Sequence, residues 1–266
     1  MRSVLTRDHW VNTDHGRLFA KRWSPASAGL SDDAPLVLFH DSLGCVELWR
    51  DFPARLALAT GRSVVAYDRL GFGKSDPHPG RLGKNFVRDE AYVAFRLLQE
   101  QLEIESFVAF GHSVGGGMAV ACAAIHTAGC RALISESAQA FVEGRTIEGI
   151  LDAKRAFEEP GQIERLKKYH GDKAGWVLSA WIDTWLAPDF ADWNLDADLR
   201  AVRCPVLAIH GEGDKYGSVL HPRRIAELTC GRAVIEILPG CAHVPHREQG
   251  DVVVDRVNRW LTQVGR

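Results

Sequence analysis

Short, nearly uninterrupted apolar runs recur along the chain, separated by longer stretches with a helical period. Residues 36–39, 63–67, 106–110, 132–135, 206–210 and 234–238 are such runs, rich in β-branched residues. They lack the in–out alternation of a half-solvated strand, so they suit strands buried on both faces of a parallel sheet. Between them, residues 49–59, 85–102, 116–126 and 251–264 read as helices. The segments around Trp10 and over 18–23 fit an antiparallel edge. Strand–helix alternation of this kind predicts an α/β fold, a mostly parallel sheet with helices on both faces. Ligands on such sheets sit beyond the carboxyl ends of the strands.

The alternation stops between residues 141 and 201, where only helices are expected, over 146–157, 162–170 and 173–186. That stretch holds Trp176, Trp181, Trp185 and Trp193, half of the chain's 8 tryptophans. A strand-free, aromatic-rich insertion predicts a helical cap over the sheet, dividing the chain into core 1–140, cap 141–201 and core 202–266. The tryptophans either seal the cap to the core or line a pocket beneath it, since large aromatics serve both ends.

Composition narrows the function class. The chain has 266 residues, 46% hydrophobic and 25% charged, with a formal net charge of −2. Lys and Arg are scattered, so neither nucleic acid nor an anionic membrane is an expected partner. The start, MRSVLTRDHWVNT, has no continuous apolar core and is not read as a signal peptide. The most apolar stretch, 107–125, contains His112, Ser113 and several glycines, which excludes a membrane span. The 6 cysteines show no CxxC spacing and read as reduced thiols, so a cytoplasmic location is expected.

The chemistry centres on Gly111-His112-Ser113-Val114-Gly115. It joins an apolar run to a Gly- and Ala-rich helix, the strand–turn–helix setting in which a serine projects above a sheet. Flanking glycines avoid collisions in so sharp a turn, and the helix start favours negative charge at the hydroxyl. A serine hydroxyl needs a base. Asp214 follows the run 206–210, and His243 follows 234–238, giving the chain order Ser, Asp, His expected for this architecture. His243 is read as the base and Asp214 as the acid that orients it. Glu212 and Glu136 are rivals for the acid, and His246 belongs to the turn entering the last helix. Cys241, His243 and His246 lie close together, but no HExxH helix accompanies them and no metal is expected. After the run 36–39, the turn His40-Asp41-Ser42-Leu43-Gly44 supplies a backbone N–H at Ser42 which, with that of Val114, would receive an oxyanion. His40 and His112 read as packing groups. The loop 68–75 reads as structural, because it lacks the P-loop lysine spacing.

These motifs, in this order, resemble the α/β-hydrolase superfamily: residues 40–44, DRLGFGKSD over 68–76, GHSVG over 111–115, HGEGD over 210–214 and PGCAHVPH over 239–246. The resemblance implies an eight-stranded sheet with a helical cap, a Ser113/Asp214/His243 triad, an oxyanion hole from Ser42 and Val114, and no cofactor. Its narrower likeness is to valacyclovirase-like small-molecule ester hydrolases. Two positions depart from those enzymes. Val114 stands where they carry an Asp that holds a substrate amino group, which points instead to an uncharged or anionic acyl group. Asp41 replaces the usual glycine of the oxyanion loop, either narrowing the entrance or meeting substrate. The reaction expected is hydrolysis of a small carboxylic ester. Carbon–carbon hydrolysis of ring-cleavage products, or a non-hydrolysing receptor on the same fold, are the alternatives. A histidine base accepts a proton only when neutral, so a pH–rate profile should show activity falling on acidification.

Overall fold

A computed structural model describes residues 3–26 and 34–265. The chain forms one sheet of 8 strands: β1 (Val4–Thr13), β2 (Gly16–Pro25), β3 (Leu36–Phe39), β4 (Val64–Tyr67), β5 (Phe107–His112), β6 (Cys130–Glu136), β7 (Val206–Gly211) and β8 (Ala233–Leu238). Their spatial order is β1-β2-β4-β3-β5-β6-β7-β8. The hairpin β1–β2 pairs antiparallel to β4, and all other neighbours are parallel. This is the mostly parallel sheet that the apolar runs predict, with the eight strands that the family resemblance implies.

Strands β3 to β5 and β7 are buried at every position, as their unbroken apolar runs require. At the edge, β8 leaves Ile235 and Ile237 exposed. The helices are α1 (Phe52–Thr60), α2 (Phe86–Tyr92), α3 (Ala94–Gln101), α4 (Val114–Ile125), α5 (Gly144–Phe157), α6 (Gln162–His170), α7 (Ala174–Trp185), α8 (Asp196–Leu199), α9 (Leu220–Leu228), α10 (Pro245–Glu248) and α11 (Gly250–Val264).

The sheet separates two apolar cores. On one face α1 offers Phe52, Leu56 and Ala57, and α11 offers Val253, Val257, Trp260 and Leu261; the i, i+4 spacing puts each set on one stripe. On the other face α2, α3 and α4 pack through Phe86, Phe95, Leu98, Met118 and Cys122. Helix α4 is buried almost all round, which explains why its sequence carries no polar face.

Three readings shift in detail. The expected helix 49–59 is a 3-10 turn over Val46–Trp49 followed by α1; Arg50 adopts φ 55° between them, and Pro53 sits in the first turn of α1, where its missing N–H costs nothing. The expected helix 85–102 is interrupted at Val93, which takes φ −113° and ψ −77° between α2 and α3. Helix α9 follows Asp214 and was absent from the sequence reading, its 9 residues carrying only His221, Pro222 and Ile225 as buried positions.

Helices α5 to α8 all fall between β6 and β7. A small core of Phe72, Leu166, Ala174 and Val177, with Leu43 and Trp176 against it, seats α6 and α7 on loops from the carboxyl edge of the sheet. The loop over 68–75 is held from within. The Asp68 carboxylate accepts the N–H groups of Val46 (2.6 Å) and Lys74 (2.7 Å), and the Ser75 hydroxyl donates to the Asp68 carbonyl (2.6 Å). Leu38 lies fully buried in the centre of β3. Leu38→Ala should therefore cost about 2–5 kcal/mol in urea unfolding, through lost burial and an unfilled cavity.

Candidate active site

The strand-to-helix turn between β5 and α4 is forced by contact, not by preference. Ser113 adopts φ 56° and ψ −126°, a backbone region that side chains rarely enter. A Cβ on Gly111 would stand 2.0 Å from the Gly115 carbonyl oxygen, and one on Gly115 would stand 2.1 Å from the Phe39 carbonyl oxygen. Both obstacles are backbone and cannot swing aside. The turn is pinned further by the Ser113 N–H, which donates to the Glu136 carbonyl at 2.9 Å.

The structure brings Ser113, His243 and Asp214 together. Ser113 Oγ lies 3.1 Å from His243 Nε2, and His243 Nδ1 lies 2.7 Å from Asp214 Oδ2. Asp214 is fully buried, and its other oxygen accepts the Tyr216 N–H at 2.8 Å. Burial pushes the Asp214 pKa up, but the hydrogen bond and charge of His243 and the Tyr216 amide outweigh it, leaving the carboxyl below its ordinary range. Asp214 is thus an anion that fixes the proton of His243 on Nδ1 and turns Nε2 toward the serine. The two rivals lie elsewhere. Glu212 is exposed, and Glu136 is buried against His246, with Oε2 2.5 Å from His246 Nδ1. His246 opens into α10, as the turn position suggested.

His40 and His112 are both buried. His40 Nδ1 donates to the Asp41 carbonyl at 2.8 Å while its Nε2 accepts the Arg69 N–H at 3.2 Å, a packing and bracing role. His112 does more, as described below. Among the described residues, His112, Glu136 and His246 present donor atoms within 4.8 Å of one another, a spacing that a metal ion requires. Glu136 Oε2 holds His246 Nδ1 and His112 Nε2 reaches the His243 carbonyl, while Glu136 Oε1 and His112 Nδ1 make no hydrogen bond.

A cavity of about 160 Å³ opens over Ser113 and His243. Leu43, Ile150, Trp181, Trp185, Tyr216 and Val244 form its apolar wall, and Asp41, Ser42, Gln139 and Thr146 add polar groups. The four tryptophans between β6 and β7 divide between the two roles considered for them. Trp181 and Trp185 line the cavity, whereas Trp176 packs on Phe72 and Trp193 stacks on Phe190. Sequence reasoning missed Gln139, whose Oε1 lies 3.4 Å from Ser113 Oγ, and Thr146 and Tyr216. None stands in a motif, and only their place just past β6, in α5 and just past Asp214 marks them.

The segment after β7 is tied to the start of α5. The Glu143 carboxylate accepts the Ser218 N–H (2.6 Å) and hydroxyl (3.0 Å) and lies 3.1 Å from His221 Nε2. Arg145 donates to the Asp214 carbonyl at 3.0 Å, and the Thr146 hydroxyl to that of Tyr216 at 2.7 Å.

A family model described as the alpha/beta hydrolase family matches residues 36–256. The chain belongs to the alpha/beta hydrolase family. Among curated relatives, the (lyso)-N-acylphosphatidylethanolamine lipase of Bos taurus is 33% identical over 100 residues, covering 37% of this hydrolase-family chain and 29% of the lipase. The 2-hydroxymuconate semialdehyde hydrolase of Pseudomonas sp. (strain CF600) is 34% identical over 102 residues, covering 38% of this chain and 35% of the relative. The matches thus span about a third of each relative's length. A solved membrane phospholipase A superposes with a TM-score of 0.74 at 19% identity, over 98% of this chain and 87% of its own, a likeness of fold. None of these three names supports the narrower likeness to valacyclovirase-like enzymes. No helix among the described residues is long and apolar enough to cross a membrane.

Gly115→Ala tests the backbone constraint. The variant should lose about 3 kcal/mol or more in chemical denaturation, since its methyl group meets a strand carbonyl.

Proposed function

We propose that this alpha/beta hydrolase cleaves small carboxylic esters through an acyl-enzyme. The supporting observation is the continuous Ser113–His243–Asp214 hydrogen-bond chain at the floor of an apolar cavity. In this reading His243 Nε2 takes the Ser113 proton as Oγ attacks the ester carbonyl, and gives that proton to the departing alcohol. Water then attacks the acyl-enzyme with His243 again as base, releasing the acid and restoring the serine. Asp214 keeps the imidazole oriented and offsets its transient charge. The oxyanion is assigned to the N–H groups of Ser42, at the cavity wall, and Val114, at the start of α4.

Cavity size and lining support the substrate class. An apolar cavity of ~150 Å³ admits a benzene-sized guest, so about 160 Å³ suits a compact acyl group. Among the described residues, no lysine or arginine lines it. An uncharged acyl group is therefore favoured over the anionic one that the sequence left open.

A p-nitrophenyl ester series is the test. Acetyl to benzoyl esters should turn over repeatedly, with kcat/KM about 10-fold or more above a decanoyl ester; one extra methylene alone is worth ~10-fold or more in a fitted pocket. Ser113→Ala should lower kcat by about 10⁴-fold or more, and a fluorophosphonate should label Ser113. One slow turnover without steady state would instead indicate a receptor, and an unlabelled Ser113 would end the proposal.

A further inference from the structure

His112 lies one residue before the candidate nucleophile, wholly buried, and stands between the loop of Asp41 and the loop of His243. Its Nε2 donates to the His243 carbonyl at 2.8 Å. Its Nδ1 faces Asp41 Oδ2 at 3.3 Å, an ion-pair distance without hydrogen-bond geometry. A neutral imidazole has one N–H. With that proton on Nε2, a neutral His112 would point a lone pair at a carboxylate inside the protein.

Asp41 is no freer. Its Oδ1 accepts the Leu43 N–H at 2.8 Å, which shapes the turn presenting the Ser42 amide. Its carboxylate therefore adjoins the place where negative charge would develop during ester attack. Unpaired, it would oppose that charge.

Resting on the serine-hydrolase reading, we infer that His112 is a positioning residue held as an imidazolium, which neutralises Asp41 beside the oxyanion site and clamps the Ser42 turn to the His243 loop. Among the described residues, the titratable groups facing it are Asp41, Glu136 at the end of β6, and the rings of His243 (5.1 Å) and His246 (4.9 Å). Burial lowers the His112 pKa, but the adjacent Asp41 carboxylate, the charge of Glu136 and the His243 carbonyl together raise it above the ordinary imidazole value. Asp41 is correspondingly held far below its usual range: burial pushes it up, and His112, His40 and the Leu43 amide more than reverse this. The sign follows. With its folded pKa raised, His112 holds the clamp fully at low pH and releases it as pH rises through that folded value. The wild-type kcat profile then carries an alkaline limb.

Two independent readouts decide the matter. In kinetics, His112→Asn leaves Asp41 unpaired and should lower kcat about 30-fold with KM within about threefold, the loss of an interaction used in the transition state. The double variant D41N/H112N carries neither charge; it should regain about 10-fold over the single variant and lack the alkaline limb. Asp41→Asn, which keeps the shape of the turn, should move the limb to lower pH. A double variant no better than His112→Asn, or a limb unmoved by Asp41→Asn, would refute the clamp. In wild-type protein, ¹⁵N spectra of His112 should show both nitrogens protonated at pH 7, whether or not esters turn over. A neutral ring there would overturn the inference, even if the hydrolase reading stands.

Discussion

The close approach of three backbone segments governs this molecule. The end of β3, the turn after β5 and the first turn of α4 meet so tightly that a carbonyl oxygen stands where a Cβ would be at both Gly111 and Gly115. That crowding leaves Ser113 one conformation, with positive φ and its hydroxyl lifted from the sheet. Everything else converges on the position so defined. β7 delivers Asp214, β8 delivers His243, and the turn after β3 delivers Ser42, all at one sheet edge. The sheet is the ruler because parallel strands present all their carboxyl ends on the same side.

Much of this was legible because it rests on strong local rules. Unbroken apolar runs such as 36–39 and 206–210 admit few structures besides a doubly covered strand, and the glycines around Ser113 declare their own crowding. Asp214 and His243 could be located because each follows a recognisable run. The break at Val93 carries no proline or glycine to announce it. Short α9 buries too few positions to show a period. Gln139 and Tyr216 reach the cavity from loops outside any motif, and no local pattern encodes that.

Asp41 shows how a sequence anomaly finds its meaning only with a partner. Read alone, an acidic residue in that loop suggested a narrowed entrance or a substrate contact. Folded, its carboxylate turns inward to the Leu43 amide and His112, while the residue still borders the cavity. His112, read as packing, supplies the opposite charge. The two are far apart in sequence, and pairing them required the β3–β5 neighbour relation that brings their strands side by side.

The bonds from Glu143, Arg145 and Thr146 to the segment 214–218 carry a wider consequence. The start of α5 and the segment that carries Asp214 share one set of joints. Grafting a foreign roof onto this sheet to change selectivity would also remove the struts beneath Asp214, unless the first turn of α5 were kept.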